Sequence, residues 1–454
     1  MVRGTHAACP APSSFNAVLF SKDQTGCCRP AHVDLYVCST SNMIAPRLAR
    51  RFQYKLAIIS ALAFCLTAWV LLAHKQPPRQ SLDEEALRRG FPLVYKHIHS
   101  FRGKGGAWYI PPEWMKSDQT PPRTIIEAAR IASQAAQSHP ERHIPFSNIP
   151  LIVHQKWNTA RLNGTDARIV SFVETWLTHS TLPEEDSSPM AYFLWDDQGV
   201  LSLVKELESP LADDFTNVFS PVEKVDIFRI MVCKWFGGIY GDIDTKPLQH
   251  PARWIQQSDI AEWTDELTGK THGLDSTALR RLLQTPAQAA QPVNAIWGIE
   301  CDSDPKTDAH WRMGYTYAIQ LTNWALASAP RHPILQRFLD RLVDKANEAK
   351  QAALHTSTGG LSQLHYDPLT RTGPAAVTEV TRKWLEERQG LRWDALTGLK
   401  DNGKTKLAGD VLILPMTGFR YTSPPRRMLR ITNASVLPTS FADEDIAQPD
   451  KREV

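Results

Sequence analysis

Residues 220–248 read Ser220-Pro-Val-Glu-Lys-Val-Asp-Ile-Phe-Arg-Ile-Met-Val-Cys-Lys-Trp-Phe-Gly-Gly-Ile-Tyr-Gly-Asp-Ile-Asp-Thr-Lys-Pro-Leu248. The pattern predicts a helix that stops at a glycine pair, then a short apolar strand, then two aspartates one residue apart. Ser220 suits the N-cap, Pro221 the first helical position, and Glu223 completes a capping box. Val225, Phe228, Val232 and Trp235 recur at helical spacing and are expected to face the core. Gly237 is a natural stop because glycine tolerates positive φ. Asp226 and Arg229, three apart, share one side of the helix.

Asp242 and Asp244 carry the chemistry. In an extended segment they point the same way. Two hard carboxylates on one side favour Mg²⁺ or Mn²⁺, with a ligand's oxygens completing the shell. Such a metal neutralises a departing diphosphate. Asp-x-Asp alone is a common pattern in solvated loops; the helix, glycine pair and strand before it give it context. Asp242-Ile-Asp-Thr245 also imitates the nucleophile loop of haloacid-dehalogenase-type phosphatases, although that loop needs a longer apolar strand before its first aspartate. A binding protein without turnover is a third reading, against which the intact aspartate pair speaks.

The block resembles glycosyltransferase family 32, in which Asp-x-x-Arg is followed by Gly-Gly-x-Tyr and Asp-x-Asp. The matching residues are Asp226, Arg229, Gly237, Gly238, Tyr240, Asp242 and Asp244. Ile149-Pro-Leu-Ile-Val-His-Gln-Lys-Trp157 is similar to the family's opening strand. Gly298-Ile-Glu-Cys-Asp302, Thr322-Asn-Trp324, Pro330-Arg-His-Pro333, Thr372-Gly-Pro374 and Asp410-Val-Leu-Ile-Leu-Pro415 are similar to its later landmarks. Together they look most like the fungal initiation-specific α-1,6-mannosyltransferases.

The resemblance implies a GT-A type α/β fold and a metal-dependent, retaining transfer of mannose. GDP-mannose is the implied donor, Mn²⁺ the cofactor (Mg²⁺ being possible), and an N-linked glycan core the acceptor. It implies donor contacts from Trp157, Asp226, Arg229, Tyr240 and Asp242, and metal ligation by Asp242 and Asp244. Those two aspartates and Glu300 are the candidate catalytic groups, Glu300 and Asp302 serving the acceptor sugar or a developing positive charge. His365 and Asp367 are weaker candidates. Other family branches use UDP-galactose or mannosylate sphingolipids.

The chain has 454 residues, 42% hydrophobic residues and a net charge of +3. A near-balanced charge without a basic stripe gives no argument for nucleic acid. Leu56–Ala73 is an uncharged apolar run of roughly 27 Å as a helix, with Arg47, Arg50, Arg51 and Lys55 on its N-terminal flank. It reads as a single-pass type II signal anchor of a Golgi enzyme, its catalytic body lumenal and partner subunits conceivable. Asn163-Gly-Thr and Asn433-Ala-Ser are then usable glycosylation sequons.

The expected organisation is an unassigned extension (1–42), a basic tail (43–55), the anchor (56–73), a stem without core residues (74–145), a catalytic domain (146–440) and a tail (441–454). Strands are expected at Ile149–His154 and Met190–Trp195. Helices are expected at Ile125–Gln137, Ala167–Thr178, Leu201–Leu207 and Pro210–Phe219, and at 311–328 and 332–352. Residues 252–290, poorly periodic, are expected to form flexible loops over the donor. Alternation of strands and helices argues for a sheet with ligands at strand carboxyl ends. Cys233 and Cys301, the cysteines of the body, are as well read as buried thiols as a disulfide.

Overall fold

The computed structural model describes residues 82–100, 103–162, 164–182, 188–284, 290–355, 367–419 and 428–430. These all lie in one compact unit, Pro77–Val454. Among the described residues twelve strands occur in chain order: β1 (Gly106–Tyr109), β2 (Ile152–Lys156), β3 (Ala191–Trp195), β4 (Gly238–Gly241), β5 (Thr245–Pro247), β6 (Trp263–Thr264), β7 (Thr271–His272), β8 (Ala295–Asp302), β9 (Ile319–Ser328), β10 (Lys406–Ala408), β11 (Val411–Leu414) and β12 (Met428–Arg430). Eight form one mixed sheet in the order β1-β3-β2-β4-β9-β8-β11-β10. Within it β3, β2 and β4 run parallel, and β9 closes antiparallel on β4. β2 and β3 are buried almost throughout, as parallel strands covered on both faces are.

The expected α/β alternation is present, but the N-terminal transmembrane helix is corrected. No helix of the described residues is long and apolar enough to cross a membrane. Leu56–Ala73, like the extension and tails on either side of the body, lies outside the described residues.

The helix Pro221–Phe236 has its capping box and ends at Gly237 with φ of 69°. Its core face differs from expectation. Residues 226–234 are all buried, while Val225 and Trp235 are half-buried. The helix packs on β4 and β9 and also on the helices Pro333–His355, Ile125–Gln137 and Asp197–Leu207. A helix covered from several sides has no single apolar stripe for periodicity to mark.

Three further differences follow from pairing. The expected stem is part of the core from residue 82 onward: Leu87, Val94, Ala107 and Ile125 are buried. β1 pairs with β3 at the sheet edge. The expected helix at 311–328 is mostly β9, paired to β4 on one side and β8 on the other. Residues 252–284 are structured rather than loose. β6 and β7 form a hairpin, and Arg392 clamps Asp265 with bonds of 2.6 and 3.0 Å. Cys233 and Cys301 are free, buried thiols.

Candidate active site

β2 pins both ends of β4 with two buried polar side chains. His154 Nδ1 accepts from Trp195 Nε1 at 3.2 Å, so its Nε2–H donates to the Gly237 carbonyl at 3.1 Å. Burial holds this imidazole neutral, its pKa pushed down to about 3. Gln155 accepts from the Tyr192 hydroxyl at 2.8 Å and donates to the Asp242 carbonyl at 3.0 Å. Gly238 is required where β4 starts. Its φ is 100°, and a Cβ there would meet the Ile152 carbonyl oxygen at 2.4 Å.

Asp242 follows β4 at its carboxyl end, where its N–H donates to the Trp324 carbonyl at 2.9 Å. The Asp242 carbonyl also accepts from Thr245 Oγ1 at 2.6 Å. Ile243 and Asp244 form a turn between β4 and β5. The two carboxylates are therefore set by a turn, not by strand alternation as expected. Asp242 is buried and Asp244 half-buried.

Arg229 joins the helix to this turn. Its Nη2 donates to Asp242 Oδ1 and Oδ2 at 2.8 and 2.9 Å, and its Nε to Oδ1 at 3.1 Å. Its Nη1 donates to Asp226 Oδ1 at 2.5 Å. The Tyr240 hydroxyl donates to Asp242 Oδ1 at 2.9 Å, and the Arg229 guanidinium lies over the Tyr240 ring at 5.6 Å. Burial lowers the Arg229 pKa, but Asp242, Tyr240 and Asp226 outweigh it and raise it above its ordinary value. For Asp226 burial wins over Arg229, and its carboxyl sits above the usual range. Burial, seconded by the Asp242 charge, raises the Tyr240 phenol, which stays a donor.

The structure thus brings Asp226, Arg229, Tyr240 and Asp242 into one buried cluster, with Asp244 beside it. Trp157 comes just after β2, half-buried at the rim of the core. Glu300 lies on the part of β8 and β9 that runs past the end of β4, at a break in the β8–β9 register. Bulges there re-aim side chains. Its Oε1 accepts from the buried Gln320 at 2.9 Å. Asp302 is drawn elsewhere, to Thr397 at 2.6 Å and the Gly398 N–H at 2.7 Å. Asp367 caps the helix Pro368–Arg371. His365, Asn163 and Asn433 lie outside the described residues.

Two contributors carried no role in the sequence reading, although both stand in its quoted landmarks. Asn323 donates to Asp226 Oδ1 and Thr372 to Oδ2, each at 2.9 Å.

The donor set suits a divalent cation completed by its ligand. Among the described residues no group of three or more His, Cys, Asp or Glu side chains that could hold a metal is present. Asp242 is engaged by Arg229 and Tyr240, and Asp244, half-buried in the turn, is the second carboxylate of the pair. Mg²⁺-like ions accept one or two carboxylates when phosphate oxygens and water fill the rest. The phosphatase reading fares worse, since its nucleophile would be Asp242, a carboxylate ion-paired to a buried guanidinium.

Residues 167–261, which contain this turn, match the family described as a glycosyltransferase sugar-binding region containing a DXD motif. The chain is similar to the initiation-specific α-1,6-mannosyltransferase of Schizosaccharomyces pombe, at 27% identity over 62% of this chain and 59% of that protein. The enzyme of the same name from Candida albicans is 24% identical over 58% of this chain and 64% of its own length. The chain thus spans about three fifths of the length of these two relatives. A solved structure, PaToxG glycosyltransferase, aligns at 15% identity over 59% of this chain and 83% of its own, with a TM-score of 0.29.

Proposed function

We propose that this protein is a retaining glycosyltransferase that moves mannose from GDP-mannose to an N-linked glycan core as an α-1,6 linkage, in the Golgi lumen. One observation carries the reading: the buried Asp226–Arg229–Asp242–Tyr240 cluster beside Asp244, at the carboxyl ends of β2 and β4. The matched sugar-binding region and the mannosyltransferase names of the relatives support it.

In this reading Asp244, seconded by Asp242, holds Mn²⁺ or Mg²⁺, which supplies charge neutralisation for the diphosphate. Asp226 and Arg229 orient the donor by hydrogen bonds to ribose or sugar hydroxyls. Trp157 stacks on the base. Tyr240, held protonated, fixes Asp242. Glu300 faces the acceptor side and stabilises positive charge that develops on the sugar.

The test is turnover of GDP-mannose, UDP-galactose and UDP-glucose by purified protein with Mn²⁺, followed by linkage mapping of the product. Preference for GDP-mannose and an α-1,6 product is expected. Preference for a UDP-sugar would replace the donor assignment, and no turnover of any donor would reject the enzyme reading. Glycosidase-sensitive modification at Asn163 or Asn433 tests the lumenal location.

A further inference from the structure

Asp226 is gripped at both carboxylate oxygens. Arg229 and Asn323 donate to Oδ1 at 2.5 and 2.9 Å, and Thr372 Oγ1 donates to Oδ2 at 2.9 Å. The terminal torsion of an aspartate is soft and broad. With Oδ1 alone held, the carboxylate plane would swing about that contact. The Thr372 hydroxyl removes this freedom. It also lies 3.3 Å from the Pro368 carbonyl, but it has one proton, and the closer, charged oxygen is the stronger acceptor.

The backbone around Thr372 does not depend on that hydroxyl. Arg371 forms an ion pair with Glu223, one helical turn before Asp226. Arg341 donates to the carbonyls of Thr370 at 3.0 Å and Arg371 at 2.9 Å. These contacts dock the segment on the helices Pro221–Phe236 and Pro333–His355. Thr372 itself is fully buried, and a valine fills nearly the same space. The hydroxyl therefore has one local task, which is Asp226.

We propose that Thr372 is a positioning residue: its hydroxyl fixes the plane of the Asp226 carboxylate, and so the angle at which Asp226 and Arg229 together meet a nucleotide-sugar donor. This rests on the donor-site reading above. The residue lies 146 positions from Asp226 in sequence and touches the donor only through it.

The experiment measures metal-dependent hydrolysis of GDP-mannose and the melting temperature for the full chain, T372V, T372S, D226N and the double variant D226N/T372V. T372V is expected to lose about tenfold in kcat/KM, the worth of one hydrogen bond to a charged group, with a melting temperature lowered only by the few degrees that one unpaired buried oxygen costs. T372S, which keeps the hydroxyl, should stay within about twofold of the parent chain. In the D226N background T372V should add nothing, because the two act as one unit. Wild-type kinetics in T372V, equal losses in T372V and T372S, or additive losses with D226N would each overturn the proposal. If T372V does not fold, T372A replaces it, leaving a small void instead of a methyl against the carboxylate, with the same expectation. An unmodified chain that hydrolyses no nucleotide sugar overturns the donor-site reading and this inference with it; an active chain with an indifferent T372V overturns this inference alone.

Discussion

Arg229 and Asp242, 13 residues apart, meet in a buried bidentate pair, the guanidinium Nη2 reaching both carboxylate oxygens at 2.8 and 2.9 Å. The pair ties the helix Pro221–Phe236 to the turn after β4. Two aspartates that look equivalent in the sequence are thereby given different tasks. Asp242 is part of the scaffold, and Asp244 is half-buried in the turn beside it.

Asp242→Asn and Asp244→Asn therefore separate. Asp242→Asn weakens one ion pair of a buried arginine and is expected to cost about 3 kcal/mol of stability, the scale of a broken buried pair, together with most activity. Asp244→Asn is expected to lose activity on the order of 100-fold, typical of a removed electrostatic stabiliser, with the melting temperature unchanged. Thermal melts beside turnover of the donor decide this. Equal melting temperatures in the two variants would contradict the division.

His97 sits in the helix Pro92–Ser100 against Tyr192, their rings 5.7 Å apart. Its Nε2 is buried without a hydrogen-bond partner among the described residues. Burial pushes its pKa down from 6.5 to about 4. The folded pKa lies below the unfolded one, so its contribution is fully present above pH 6.5 and is lost as pH falls toward 4. His97→Phe should shrink the loss of melting temperature over that window. At pH 7 it should match or exceed the parent chain, since an unsatisfied buried nitrogen is removed. A parallel pH profile in the variant would contradict this.

A chain beginning at residue 77 is expected to melt cooperatively, and one beginning at residue 146 is not. The longer fragment keeps β1 and the buried residues Leu87, Val94, Ala107 and Ile125. The shorter one exposes the edge of β3 and uncovers the core beneath the helix Ile125–Gln137. Cooperative melting of the 146-start fragment would show that residues 82–145 are dispensable.

The sequence legibly marked what local chemistry dictates. The helix Ile125–Gln137 has the expected bounds, and the Ser220 capping box and Gly237 stop are where propensity puts them. β9 was hidden because Ile319–Ser328 carries helix-formers such as Ala325, Leu326 and Ala327. Pairing with strands on both sides overrides that preference. The region read as a stem was hidden by its proline pairs, which look like a linker, although Leu87 and Val94 both reach the core. In the site, Asp226, Arg229, Tyr240 and Asp242 were readable because they fall within one short stretch. Asn323 and Thr372 reach Asp226 across 97 and 146 residues. No periodicity or spacing rule reports a contact of that range.

The proposed function makes this cluster a divalent-metal nucleotide-sugar site completed by its ligand. Calorimetric titration of GDP into the purified protein, with Mn²⁺ and with chelator, tests it most directly. Binding is expected to be at least about tenfold tighter with Mn²⁺, equivalent to about 1.4 kcal/mol, and an Asp244→Asn variant should bind with Mn²⁺ no better than the parent chain does without it. GDP affinity that is the same with and without the metal, or a metal response intact in Asp244→Asn, would contradict it.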